Sequence, residues 1–272
     1  MIILTGMHRS GTSLSANLLY EMGENFGDEG ILRQADKWNE KGYFENNEIL
    51  TLNNDIILGG FGKSQYWLIP SHDRKLFMNI SIRFAQLMYL SFPSNKTIFK
   101  RAERYKSKLI ELSIKYDSII ANDARFSLTI GAWASYTKID KILYCIRDPL
   151  EVVKSLKKRQ QIPYWLGYKM WYYHVNRFFD QIEGLRVIVV KYNNLFQEEK
   201  ASAEMTRFYR FAGREYKQEE SLEILQRVLD KKLRHHVSTS EDYPDYIKKM
   251  YRILNNYHNI YDTLKPFQVL RT

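Results

Sequence analysis

Cysteine is nearly absent from this chain of 272 residues: Cys145 is the only one. No internal disulfide can form, which excludes a disulfide-stapled secreted scaffold. Cys145 lies in the apolar run ILYCI and reads as an inert buried thiol. Histidine is sparse, six scattered positions with no HxxxH pair. With one cysteine, that leaves no set of metal ligands, and the adjacent His235 and His236 do not make one. No apolar run approaches the ~20 residues that span a bilayer. The first strand begins at Met1, which leaves no room for a signal peptide, so a cytoplasmic location is expected. Internal repeats and low-complexity linkers are also missing.

What the chain does hold is 44% hydrophobic residues, enough for a sizeable core, and an excess of cations that gives a net charge of +10. The length suits one α/β domain, or one with insertions. A basic chain raises the question of nucleic acid. There is no RNP pattern, zinc-finger spacing or helix-turn-helix, so no nucleic-acid partner is expected; a multiply anionic small molecule would be steered by the same field. Lys154, Lys157 and Lys158 share a helix spacing, as do Arg101, Arg104 and Lys108, and both rows read as solvated faces. Apolar runs and periodicities predict strands at 1–5, 118–122, 141–146 and 186–191. They predict helices at 12–22, 46–58, 73–91, 102–116, 126–136, 149–160, 164–183, 198–212 and 219–230. This alternation implies a parallel sheet covered by helices on both faces.

The opening MIILTGMHRSGTSLSANLL sets Gly6, Gly11 and Ser13 at the spacing of a Walker A loop, G-x-x-x-x-G-K-[ST], with Thr12 where the lysine belongs. Met1 to Leu4 forms an apolar strand. Leu14, Leu18, Leu19 and Met22 recur at helical spacing. The loop therefore leads into a helix N-terminus, whose amides favour an anion, and its glycines permit close approach. Transfer of a γ-phosphoryl group uses the missing lysine together with Mg²⁺. Here the loop cation is Arg9, whose planar donor fork suits a tetrahedral oxyanion. A sulfuryl group carries less charge than a γ-phosphoryl and needs less neutralisation.

Residues 142–156 read ILYCIRDPLEVVKSL. Arg147 ends an apolar strand, Pro149 can open a helix, and Ser155 lies two turns into it. Such an arginine and hydroxyl can grip one phosphate from two sides, with ~1.5–3 kcal/mol for each charge-assisted bond. The two motifs together resemble the sulfotransferases that use 3′-phosphoadenosine 5′-phosphosulfate (PAPS). HRSGTS is similar to their 5′-phosphosulfate loop, P-[KR]-[ST]-G-[TS]-[TS], with His8 in place of proline. RDPLEVVKS matches their 3′-phosphate motif, R-[DN]-P-x5-S. VIVVKYNNLF (187–196) is similar to a family strand ending Y-E-D-L, with Asn193 and Asn194 replacing the acids. KGYFEN (41–46) and NDARFSLTIGAW resemble elements of a bacterial branch, with Ala124 where proline is usual. LRHH (233–236) is a fainter match.

The resemblance implies a P-loop-containing nucleotide hydrolase-like (sulfotransferase) α/β fold. A single domain is expected over 1–272, with a helical insertion around 59–116 over the acceptor site. It implies transfer of a sulfuryl group from PAPS to a hydroxyl, secondarily an amine, of a glycan or small-molecule natural product, with no metal required. Arg9, Ser10, Gly11, Thr12 and Ser13 would hold the phosphosulfate, and Arg9 would also act on the transferring group. Arg147 and Ser155 would hold the 3′-phosphate, Tyr192 the adenosine, and Arg234 would add a further donor contact. For the general base, Glu45 comes first: a carboxylate beside Tyr43 and Phe44 would be partly desolvated and its pKa raised. Its competing use is to favour a helix N-terminus. Asp123, at a strand end where ligands bind in open α/β sheets, comes second, or else orients Arg125. The partners expected are PAPS, its bisphosphate product and a hydroxylated acceptor, with oligomeric state left open. Two other classes stand beside this one. A P-loop kinase or ATPase would use IIAND (119–123) as a poor Walker B strand, but it lacks the lysine and leaves the RDP-helix-Ser element unexplained. A nucleotide-binding module without catalysis would keep the loop and a basic groove.

Overall fold

The computed structural model describes residues 1–34, 42–59, 92–229 and 243–255. Strands β1 (Ile2–Gly6), β2 (Ile120–Asn122), β3 (Lys141–Ile146) and β4 (Val187–Lys191) lie where the apolar runs placed them. They form one parallel sheet in the order β2-β1-β3-β4. Alternate strand residues point to opposite faces, and both faces are covered. Ile3, Ile142, Tyr144 and Val189 join one core; Leu4, Leu143, Cys145 and Val190 join the other.

The first core is closed by α2 (Asn47–Leu58), α3 (Asn95–Glu103), α4 (Lys106–Lys115), α5 (Phe126–Tyr136), α6 (Pro149–Gln160), α7 (Tyr164–Phe179) and α10 (Asp245–Asn255). The second is closed by α1 (Thr12–Glu21), α8 (Glu198–Ala212) and α9 (Gln218–Val228). The fold is thus α/β, a parallel sheet with helices on both faces. No helix among the described residues is long and apolar enough to cross a membrane.

Three elements differ from the sequence reading. The helix expected at 102–116 is two helices, because α3 starts earlier, at a cap where Ser94 accepts from the Thr97 amide at 3.2 Å. The chain then turns at Arg104 and Tyr105, and Tyr105 packs on the core. That turn separates Arg101 from Lys108, so they do not form one row. α7 stops at Phe179, short of the 183 expected. α10 was not predicted, although its buried Ile247, Met250 and Leu254 follow helical spacing. The helix expected at 73–91, residues 60–91 of the expected insertion, Lys41, Arg234 and the LRHH stretch lie outside the described residues.

The chain passes from β1 to β2 on one side and then to β3 on the other. The winding therefore reverses between β1 and β3. The crevice beyond the carboxyl ends of the strands at such a reversal is where open α/β sheets bind ligands. The Gly6–Ser13 loop follows β1 and the RDP segment follows β3, so both open there.

Candidate functional site

Sterics fix the loop. A Cβ on Gly6 would lie 2.5 Å from the Cys145 carbonyl of β3, and one on Gly11 would lie 2.3 Å from the Tyr192 ring. Gly11 has φ 99°, and Arg9 is itself left-handed at φ 70°, a conformation that costs a non-glycine residue roughly 1–2 kcal/mol. Left-handed residues of this kind let successive amides converge on an anion. No side chain caps the start of α1, which leaves the first amides of that helix, from Thr12 and Ser13 on, to an external acceptor. Ser10 is turned differently. Its amide donates to the Met7 carbonyl at 3.0 Å, and its buried hydroxyl faces back toward Gly6 with no hydrogen-bond partner. His8 also points inward, edge-on to His174 at 5.5 Å. Burial, then the charge of Arg125, hold its pKa well below the ordinary value.

The two motifs read from sequence meet. Arg9 Nε donates to Ser155 Oγ at 2.8 Å. Arg147 lies alongside, with its Nη1 3.4 Å from the Arg9 carbonyl and its guanidinium 4.2 Å from the Tyr192 ring centroid. Tyr192, on the turn after β4, therefore touches both the loop and the arginine. Arg147 Nε is held by Glu151 at 2.9 Å, and Asn193 binds the other Glu151 oxygen and the Asp148 amide, each at 2.9 Å. Asp148 caps α6, accepting from the Leu150 and Glu151 amides. Asn194 donates to Glu204 at 2.8 Å. The two asparagines thus brace the turn and the arginine.

Sequence reasoning missed a third arginine. Arg159, one turn beyond Ser155 on α6, is 5% exposed and donates from Nη2 to the Tyr43 hydroxyl at 2.9 Å. Burial, and then the charges of Arg159 and Arg147, lower the Arg9 pKa to about 10. The helical spacing from Ser155 was the available signal.

Glu45 is buried and its Oε2 pairs with Arg33 Nη1 at 2.9 Å. Arg33 in turn stacks 3.9 Å over the Tyr43 ring. Burial raises the Glu45 pKa against the opposing pull of Arg33 and Arg125. Glu45 immediately precedes the start of α2, where Asn46 is the cap, accepting from the Glu48 and Ile49 amides, and Glu48 is the acid of the first turn. Asp123 is occupied on both oxygens, by Arg125 Nη1 at 2.8 Å and its amide at 3.0 Å, and by Asn53 at 2.8 Å. Arg125 Nε reaches Asn54 at 2.6 Å. Asp123 orients Arg125, and that pair ties α2 to the end of β2.

A cleft of about 650 Å³ borders Asp148 and Glu151 and runs between Lys191, Glu204, Arg207 and Tyr251. None of the loop residues lines it, so it is not the space above the loop. Among the described residues no group of His, Cys, Asp and Glu could hold a metal.

No family model and no curated protein matches this chain. Among solved structures, the sulfotransferase domain of the Synechococcus PCC 7002 olefin synthase is similar at 15% identity and TM-score 0.46, over 93% of this chain and 94% of that one. Sulfotransferase STF9 from Mycobacterium avium is similar at 16% identity and TM-score 0.42, over 93% of this chain and 74% of that one. The functional reading therefore rests on this chain's own residues.

Proposed function

We propose that this chain is a PAPS-dependent sulfotransferase, moving a sulfuryl group to a hydroxyl of a glycan or small-molecule natural product. The observation that carries the reading is the 2.8 Å contact between Arg9 and Ser155, residues 146 apart in the chain. It draws a lysine-free phosphate loop and the RDP-helix-Ser element into one cationic cup, as a donor with a 5′-phosphosulfate and a 3′-phosphate requires. Loop amides and Arg9 hold the phosphosulfate, Arg147 and Ser155 the 3′-phosphate, and Tyr192 flanks the adenosine. The acceptor oxygen attacks sulfur in line, the bond from sulfur to the 5′-phosphate oxygen breaks, and Glu45 takes the acceptor proton. Adenosine 3′,5′-bisphosphate leaves with the electron pair.

Thermal shift with a nucleotide panel tests the reading. Stabilisation by adenosine 3′,5′-bisphosphate should exceed that by ATP with Mg²⁺, and ³⁵S from labelled PAPS should appear on a hydroxylated acceptor in a screen. Preference for ATP with Mg²⁺ would restore the kinase reading.

A further inference from the structure

α6 crosses the carboxyl edge of the sheet, and its contacts mark the crossing. At its start, the Asp148 amide and Glu151 are bound by Asn193, just past β4. One turn on, Ser155 accepts from Arg9 in the loop after β1. One further turn on, Arg159 donates to Tyr43, whose carbonyl accepts from Asn122 of β2 at 2.8 Å. With strands ordered β2-β1-β3-β4, Glu151, Ser155 and Arg159 are three rungs spaced i, i+4, i+8. At 1.5 Å rise per residue they lie about 6 Å apart.

This arrangement gives the cup a direction. The β4 end holds Tyr192 stacked under Arg147, where a nucleotide base and its 3′-phosphate would sit. The β2 end holds Tyr43, Arg33 and Glu45. Arg9 lies between them. A donor laid with its nucleoside toward Tyr192 and its phosphosulfate on the loop therefore points its terminal group toward β2. Arg159 stands at that end, and Tyr43 fixes its guanidinium there.

We propose that Arg159 binds the transferred group itself, as the third rung of α6 and a specificity-determining residue for a donor that carries a terminal sulfuryl group. This rests on the donor reading above. The guanidinium would face the equatorial sulfuryl oxygens. These oxygens keep their charge while the bond from sulfur to the 5′-phosphate oxygen breaks and the new bond to the acceptor oxygen forms. Tyr43, which orients Arg159 through its hydroxyl, is a positioning residue. Its ring also carries Arg33 at 3.9 Å, so Tyr43 links Arg159 to the Arg33–Glu45 pair.

Calorimetry with two ligands separates this inference from the reading it rests on, and it needs no knowledge of the acceptor. PAPS carries the sulfuryl group and adenosine 3′,5′-bisphosphate does not. Arg159→Ala should weaken PAPS by about tenfold, the loss of one charge-assisted contact, and change bisphosphate affinity by less than about twofold. Arg147→Ala should weaken both alike. Tyr43→Phe, which keeps the ring, should show the Arg159→Ala pattern at a smaller size, and guanidinium added to Arg159→Ala should recover part of the slow release of labelled sulfate from PAPS. Should Arg159→Ala fail to fold, Tyr43→Phe and Arg159→Lys carry the same comparison. Equal losses for both ligands, or none for either, would overturn the inference and leave the donor reading standing. Failure of the unmutated protein to bind the bisphosphate would sink both.

Discussion

Two carboxylates compete for the role of general base in the proposed reaction, and their surroundings differ in kind. Glu45 pairs with Arg33, and burial raises its pKa. That is the direction a base working near neutral pH needs. Asp123 accepts from Arg125 and Asn53 on separate oxygens, and the adjoining Arg125 is fully buried. Glu45→Gln is expected to lower kcat by ~10²–10⁴-fold with donor affinity unchanged, measured by initial rates and by calorimetry with the bisphosphate. Asp123→Asn is expected to act on stability. It removes the charge that faces a buried guanidinium, at a cost of ~3–5 kcal/mol, visible as a melting temperature lower by roughly ten degrees. Normal melting with lost turnover in Asp123→Asn would move the base to Asp123.

At the scale of elements, α6 matters most, because one helix carries contacts to the ends of three strands. Its start is secured by Asp148 and Pro149. Its end is less well made: the C-cap, Gln161, is left-handed at φ 58° and exposed, a place where glycine carries no Cβ penalty. Gln161→Gly is expected to stabilise the protein by ~0.5–1 kcal/mol, read as a rise of a few degrees in thermal denaturation. A fall would show that the Gln161 side chain contributes more than its backbone costs. The start of α6 was legible in the sequence, since Asp-Pro after an apolar run is a local signal. α10 was legible but passed over. The break between α3 and α4 was not, because a continuous apolar period runs through Arg104 and Tyr105.

For the whole molecule, two buried histidines contribute to how stability depends on pH. His8 and His174 are both nearly inaccessible. Burial and the charge of Arg125 lower the His174 pKa to about 3, and its Nδ1 lies 2.6 Å from Ser127 Oγ. The Ser127 hydroxyl also lies 2.7 Å from the Ala124 carbonyl, and with a pKa that low the buried ring is neutral at pH 7. Unfolded histidine takes up its proton below about pH 6.5, whereas the folded ring resists down to about pH 3. The unfolded state therefore binds more protons in that window. Stability is full above pH 6.5 and falls as the pH drops toward 3, by up to ~1.4 kcal/mol per pH unit for each such histidine. Urea melts at pH 7 and pH 5 should show the loss, and His174→Gln should flatten it. An unchanged slope in that variant would assign the acid sensitivity to other groups.

The sequence by itself determined the four strands, most of the described helices, the glycine-bounded loop after β1 and the RDP helix start. Each is encoded locally, by apolar runs, glycine where backbone crowds backbone, and proline where a helix begins. It also singled out Arg9, Arg147 and Ser155, the residues on which the proposed function rests. Only the tertiary structure decided how those residues are used. Ser155 meets Arg9, Asp123 is committed to Arg125, Asn193 and Asn194 brace a turn, and Arg159 reaches Tyr43. The physical reason is clearest for the contacts of α6, which join segments far apart in the chain and depend on where that helix meets the strand ends. That placement is set by packing on both faces of the sheet, and no local period in the chain records it.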